Sequence, residues 1–259
     1  MISYLRKMMK NRYIIASLVR QDLLSRYRRS VLGIMWSVLM PLGTSLVIGT
    51  VYSILWQSDI KIFLPFLFSG LTVWNYLSEC LNTGTVAYIA AEGYIKQLPM
   101  DIGIFPVRVT FVALSNLVFG LLAFFVMLLI VNPALITPNA LLLIPAIFIL
   151  VIFGVGASTI AATMQVYVRD YSPLQSLLLQ ALFYVTPIVY EPATLRERGF
   201  DFIYKINPFY YYIQITREAL VGQEPRLSVW LIAFGFALVV WFFSIYLLQR
   251  TRRHIVFKL

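Results

Sequence analysis

Residues 25–42 read Ser25-Arg26-Tyr27-Arg28-Arg29-Ser30-Val31-Leu32-Gly33-Ile34-Met35-Trp36-Ser37-Val38-Leu39-Met40-Pro41-Leu42. A dense basic block stops abruptly, and from Ser30 to Ser58 there are 29 residues without a charge. About 20 apolar residues cross the ~30 Å of a bilayer's hydrocarbon, so a helix enters the membrane here. Four arginines between Arg20 and Arg29 hold its start on the cytoplasmic side.

Working outward, charge-free runs mark further spans. Ile62–Ala91 is interrupted only by Glu79, and Val109–Val168 runs 60 residues without a charge. The second run is too long for one helix, and Asn132-Pro133 and Thr137-Pro138 divide it. Tyr171–Tyr190 and Leu227–Gln249 complete the set. The expectation is an all-α polytopic membrane protein with six transmembrane helices, near 33–56, 63–90, 107–131, 140–167, 173–190 and 228–249. With the N-terminus inside, fifteen Lys and Arg fall on the cytoplasmic side and six outside, which places both termini in the cytoplasm.

Composition agrees. Of 259 residues, 60% are hydrophobic and 12% charged, against a usual ~25% charged in soluble domains. The formal charge of +10 would suggest nucleic acid in a soluble domain. Here the charge tracks the membrane, so membrane lipids and no nucleic acid are the expected partners. The lone Cys80 cannot make a disulfide within one chain, and no short apolar segment with a small-residue cleavage site follows the basic N-terminus.

Three pieces do not read as spans. Residues 13–29 form a basic stretch with Ile15, Val19, Leu23 and Tyr27 in one i+4 row, an N-terminal amphipathic interfacial helix within a cytoplasmic segment 1–30. Glu92–Arg108 is the longest cytoplasmic loop. In it Tyr94, Ile95 and Leu98 would share one helical turn ended by Pro99. Between spans five and six lies the external segment 191–226, in which Phe200–Leu220 is too apolar for a free loop and too interrupted, by Asn207-Pro208, for a span. Two short re-entrant helices dipping into the outer interface are expected there.

Some chemistry is missing from the chain. No GxxxxGK[ST] loop occurs, so no phosphate cradle is expected, and one His with one Cys is too few for a zinc site. The single His254 lies in the basic tail and reads as a surface residue. Glu79 is the one clear ionisable group within a span. It either bonds within a polar seam with Asn75, Ser78, Asn82 and Thr83 or touches a polar substrate. A proton-coupled carrier or a membrane-embedded enzyme acting on lipid-linked sugars would need more such groups.

Four blocks then carry a resemblance. They are Leu18–Asp22 through Arg26–Gly33 with Trp36 and Pro41-Leu42; Tyr94-Ile95-Lys96 with Leu98-Pro99 and Phe105-Pro106; Val168-Arg169-Asp170 through Thr186–Tyr190; and Asn207-Pro208-Phe209 with Arg217–Leu220. Together they resemble the ABC-2 type exporter permeases, in particular the polysaccharide-exporting subgroup of Wzm-type O-antigen permeases, with teichoic-acid permeases close by. Gln97-Leu98 departs from a basic–aromatic pair that many relatives carry there.

The resemblance implies a domain 31–259 that forms a homodimer and pairs with two copies of a separate ATPase. This chain would hold no cofactor, since ATP and Mg would be bound by the partner. It also implies a coupling loop at 91–106 contacting the ATPase through Tyr94, Ile95, Lys96, Leu98 and Pro99. The N-terminal helix would be a cytoplasmic gate with Arg26, Tyr27, Arg28 and Arg29 at a lipid head, and residues 191–226 would be external gate helices. The implied cargo is a lipid-linked polysaccharide crossing the inner membrane of a bacterium, with teichoic acid, capsule, lipid or drug as alternatives. Flat aromatic rings suit sugar faces, so Trp36, Trp74, Tyr76, Phe183, Tyr184 and Tyr190, with Glu79, are candidates for the path. The same rings also belong at membrane interfaces.

Overall fold

The computed structural model describes residues 2–27, 30, 32–98 and 100–259, and among them every regular element is helical. In chain order these are α1 (Ile2–Lys10), α2 (Arg12–Tyr27), α3 (Trp36–Leu55), α4 (Ile60–Thr85), α5 (Glu92–Gln97), α6 (Ile104–Val131), α7 (Leu143–Tyr167), α8 (Tyr171–Val185), α9 (Pro192–Glu197), α10 (Phe202–Lys205), α11 (Pro208–Leu220) and α12 (Leu227–Lys258).

Five helices among the described residues are long and apolar enough to cross a membrane: α3, α4, α6, α7 with its 3-10 lead-in from Pro138, and α12. The long apolar run breaks where the two X-Pro pairs lie, with 3-10 turns at Pro133–Leu135 and Pro138–Leu142. The segment read as a fifth span differs. Its helix α8 has 15 residues and stops at Val185, followed by a bent stretch over 186–190. Pro187 cannot donate to the helix, and Thr186 caps it by donating from its hydroxyl to the Leu182 carbonyl at 2.6 Å. α12 also departs from the expectation. It runs unbroken to Lys258, since Gln249–Lys258 contains neither Gly nor Pro.

α4 is the centre of the bundle, with 72% of its spanning stretch buried against 17% for α3. Small residues let α7 approach both neighbours. Ser158 donates to the Cys80 carbonyl of α4 at 2.9 Å, and Tyr76 donates to the Leu150 carbonyl of α7 at 2.9 Å. In lipid no hydrophobic force gathers helices, so close packing and such bonds hold them. Gly156 is the clearest requirement. A Cβ there would sit 2.9 Å from the Trp241 nitrogen and 3.0 Å from its Cα, which is backbone of α12 and cannot swing aside. Gly156→Val is therefore expected to cost about 1–3 kcal/mol. It should lower the melting temperature in detergent, while Gly235→Ala, whose Cβ meets open space, leaves it unchanged.

One end of the bundle collects the N-terminal helices, the loop before α6 and the end of α12. Asp101 accepts ion pairs from Lys7 at 3.1 Å and Arg252 at 3.7 Å, and Asp22 of α2 pairs bidentately with Arg108 of α6. The helix expected over 13–29 is α2, Arg12–Tyr27, and a further helix, α1, precedes it across a break at Asn11. Ile15 and Leu18 are buried against Ile104, Phe105 and Ile255, so this segment is partly core.

The stretch between α8 and α12 holds three helices: α9, and within Phe200–Leu220 the two short ones expected, α10 and α11. The third, α11, is buried from Phe209 to Leu220 and packs on α4, α7 and α12. A segment with two charges sits this deep because carbonyls accept from the Arg217 guanidinium and donors meet the Glu218 carboxylate.

Candidate functional site

α4 carries a polar stripe through a largely apolar bundle. Asn75 and Asn82 are exposed in the single chain, and Ser78 and Glu79 are half-buried. The spacing 75, 78/79, 82 lines them along one face of the helix. Glu79 is held from α6, where Asn116 Nδ2 lies 2.8 Å from each carboxylate oxygen. Ser176 of α8 donates to Asn82 at 3.2 Å, while the Ser78 hydroxyl is buried without a partner.

Two cavities flank this stripe. One of about 140 Å³ lies among α3, α4 and α6 and gathers Trp36, Tyr76 and Glu79 with Asn75, Asn116 and Thr72. The other, about 300 Å³, lies between α4 and α8 and gathers Trp74, Phe183 and Tyr184 with Ser78, Asn82 and Gln180. Trp74 and Phe183 meet edge to face at 5.5 Å, and Phe183 and Tyr184 at 5.4 Å. The candidate path residues thus fall into two groups on adjoining sides of one polar stripe. Tyr190 belongs to neither cavity. Its hydroxyl donates to the carbonyls of Tyr184 and Val185 at 3.2 and 3.0 Å, closing the end of α8. Asn116, absent from the sequence reading, had no local signal. It is one Asn in an apolar run, and only packing brings it to Glu79.

In the loop expected to dock a partner, the described residues divide by exposure. α5 presents Tyr94 and Leu98, 40% and 49% exposed, on its outer face. Ile95 is 8% exposed and packs with Tyr88, Ala91 and Phe105. Residues i and i+4 share a face, whereas i+1 turns 100° away, and here that turn leads into the chain's own core. Lys96 is tied to Glu92 at 2.6 Å. Pro99, Arg28 and Arg29 lie outside the described residues. Arg26 and Tyr27 end α2, and their side chains are outside the description too. At the start of α3, Trp36 Nε1 donates to the Ser30 hydroxyl at 3.1 Å.

A second node ties the bend after α8 to α11. Asn207 caps α11 by accepting from Phe209 N at 3.0 Å, and its amide donates to the Thr186 hydroxyl at 2.7 Å. Arg217, 1% exposed, donates to the carbonyls of Pro187 and Ile188, each at 2.7 Å, and lies 3.7 Å over the Phe66 ring. Glu218, fully buried, accepts from Arg226 N at 3.2 Å, Arg226 Nε at 3.1 Å and Trp230 Nε1 at 2.8 Å. Neither charge was a candidate site residue. Both lie in the fourth block of the resemblance, and tertiary contacts reveal what they bond to.

The description ABC-2 type transporter belongs to a family model that matches residues 13–221. The chain is 27% identical over 237 residues to the O-antigen export system permease protein RfbA of Myxococcus xanthus, covering 88% of this chain and 90% of that protein. It is 29% identical over 216 residues to the protein of the same name from Klebsiella pneumoniae, covering 81% and 80%.

Proposed function

Because the chain belongs to the ABC-2 type transporter family, we propose that it is the permease subunit of a bacterial exporter that moves a lipid-linked polysaccharide, O-antigen-like, across the cytoplasmic membrane. Energy comes from a separate ATPase that binds ATP and Mg, two copies to a permease homodimer. The observation that carries this reading is the polar stripe Asn75–Ser78–Glu79–Asn82 on the central helix, flanked by aromatic cavities. A hydroxyl-rich polymer needs hydrogen-bonding groups and flat rings along its path. Lipid needs neither, and an exposed polar stripe facing hydrocarbon is costly.

In this reading Trp36, Trp74, Tyr76, Glu79, Phe183 and Tyr184 contact the glycan, and Tyr190 supports the wall. α3 and α8, which bury little of their surface in the single chain, face the second copy. Residues 171–190 make the sixth crossing. The 15 residues of α8 rise ~22 Å, and the five that follow reach up to ~16 Å more. Both termini are then cytoplasmic, α9–α11 form the re-entrant outer gate, and α2 with the arginines near 26–29 forms the inner one. Tyr94 and Leu98 dock the ATPase.

Co-expression with a candidate ABC ATPase partner tests the assignment. A complex of two copies of each subunit should assemble, and a cell lacking the permease should recover surface polysaccharide. Cysteine labelling in a Cys80→Ser background should reach position 96 only from the cytoplasm and 198 only from outside. External labelling at 96, or ATP hydrolysis by the pure permease alone, would overturn the reading.

A further inference from the structure

Beside the N-terminal helices lies a crevice that the transport reading does not use. It has a volume of about 900 Å³ and runs between α1–α2 and the first half of α6. Its walls are hydrocarbon, with Ile15, Val19 and Leu23 on one side and Phe111, Leu114 and Val118 on the other. α6 is one of the candidate spans, so the slot opens toward acyl chains and away from water.

Two arginines stand on its rim, Arg12 and Arg20. They are eight residues apart and therefore on one face of α2. Both are exposed, and no Asp or Glu lines the crevice. The nearby acids are taken, Asp22 by Arg108 and Asp101 by Lys7 and Arg252. Among the described residues Arg12 donates only to the Tyr13 hydroxyl at 3.0 Å and lies 4.8 Å over that ring, and Arg20 makes no ion pair.

An apolar slot ending in two unneutralised cations is the complement of a molecule with hydrocarbon tails and an anionic head. The geometry points to a bound anionic glycerophospholipid of the cytoplasmic leaflet, its chains between α2 and α6 and its phosphate between Arg12 and Arg20. Such a lipid would wedge the N-terminal helix against the bundle and make its position depend on leaflet composition. The inference requires a membrane but no particular cargo, so a failure of the export assay would leave it standing.

Native mass spectrometry of the purified full chain, incubated with phosphatidylglycerol or phosphatidylcholine, tests it. One basic residue near the surface favours anionic lipid by roughly fivefold, so two give about twenty-five-fold. Retained phosphatidylglycerol should exceed phosphatidylcholine by that order, and Arg12→Gln with Arg20→Gln should remove the excess. Arg6→Gln with Lys10→Gln deletes the same charge outside the crevice and should leave it intact. Leu114→Trp, which fills the slot and keeps the rim, should lower retention of both lipids and serves if the double variant misfolds. Equal retention of the two lipids, or an equal loss in the Arg6/Lys10 control, would reduce the effect to bulk charge and overturn the site. Displacement of phosphatidylglycerol by a polyprenyl phosphate at equal concentration would overturn the phospholipid assignment, giving the crevice to the cargo's own anchor.

Discussion

Arg217→Met is expected to abolish export and to lower the stability of the purified protein by about 2–6 kcal/mol, a large part of the 5–15 kcal/mol typical of a folded protein. The cause is the bend over 186–190. The Pro187 and Ile188 carbonyls lie outside any helix, and the Arg217 guanidinium is their donor at 2.7 Å. Leaving a buried acceptor unpaired costs about 1–3 kcal/mol, and two are left here. Methionine relieves the cost of burying a charge, which opposes the loss, but it donates nothing to the bend and abandons the contact with Phe66. The Phe66 carbonyl is no orphan, because Ser69 donates to it at 2.8 Å. Arg217→Lys keeps the charge and loses the planar fork, so it should fall between wild type and methionine. Melting in detergent and an export assay in cells decide the matter. An Arg217→Met protein that melts and exports as wild type would show that the bend stands without its guanidinium.

The second large effect concerns coupling. Tyr94→Ala with Leu98→Ala should leave the melting temperature within the range of ordinary surface substitutions, about ±0.5 kcal/mol. The same variant should weaken ATPase association by roughly thirtyfold per residue, since an interface anchor typically contributes ~2 kcal/mol. Neighbouring residues need not be additive, so the double variant is the informative one. Ile95→Ala should behave in the opposite way. Ile95 is buried among Tyr88, Ala91 and Phe105, and its truncation costs about 2–5 kcal/mol of folding, with docking lost only as the fold is lost. Pull-down of the ATPase beside a thermal melt separates the two. Undiminished binding by the Tyr94/Leu98 variant would move the contact elsewhere on the permease.

The membrane-crossing helices were legible because charge exclusion is a local rule. A long run with no Asp, Glu, Lys or Arg shows itself wherever it packs, although Tyr171–Tyr190 holds a helix of only 15 residues. α3, α4, α6, α7 and α12 follow those runs to within a few residues except at the ends of α4 and α12, and Asn132-Pro133 and Thr137-Pro138 break the chain for reasons held in the backbone alone. Asn207-Pro208 likewise marks the start of α11, where the Asn caps and the Pro fits the first turn.

The partners of polar groups were not legible. Glu79 was visible as the lone acid in a span, but Asn116, 37 residues away, meets it only because α4 and α6 pack side by side. Ile95 read as a docking residue because a sequence shows one face of a turn without showing what already covers it. Arg217 and Glu218 stood out only as part of a motif, and the fold buries both by supplying carbonyls to one and donors to the other. Sequence by itself determined which segments avoid water, since that cost is paid residue by residue. Tertiary structure alone decided which polar groups are satisfied, because each such bond joins atoms distant in the chain and costs little only when both are present.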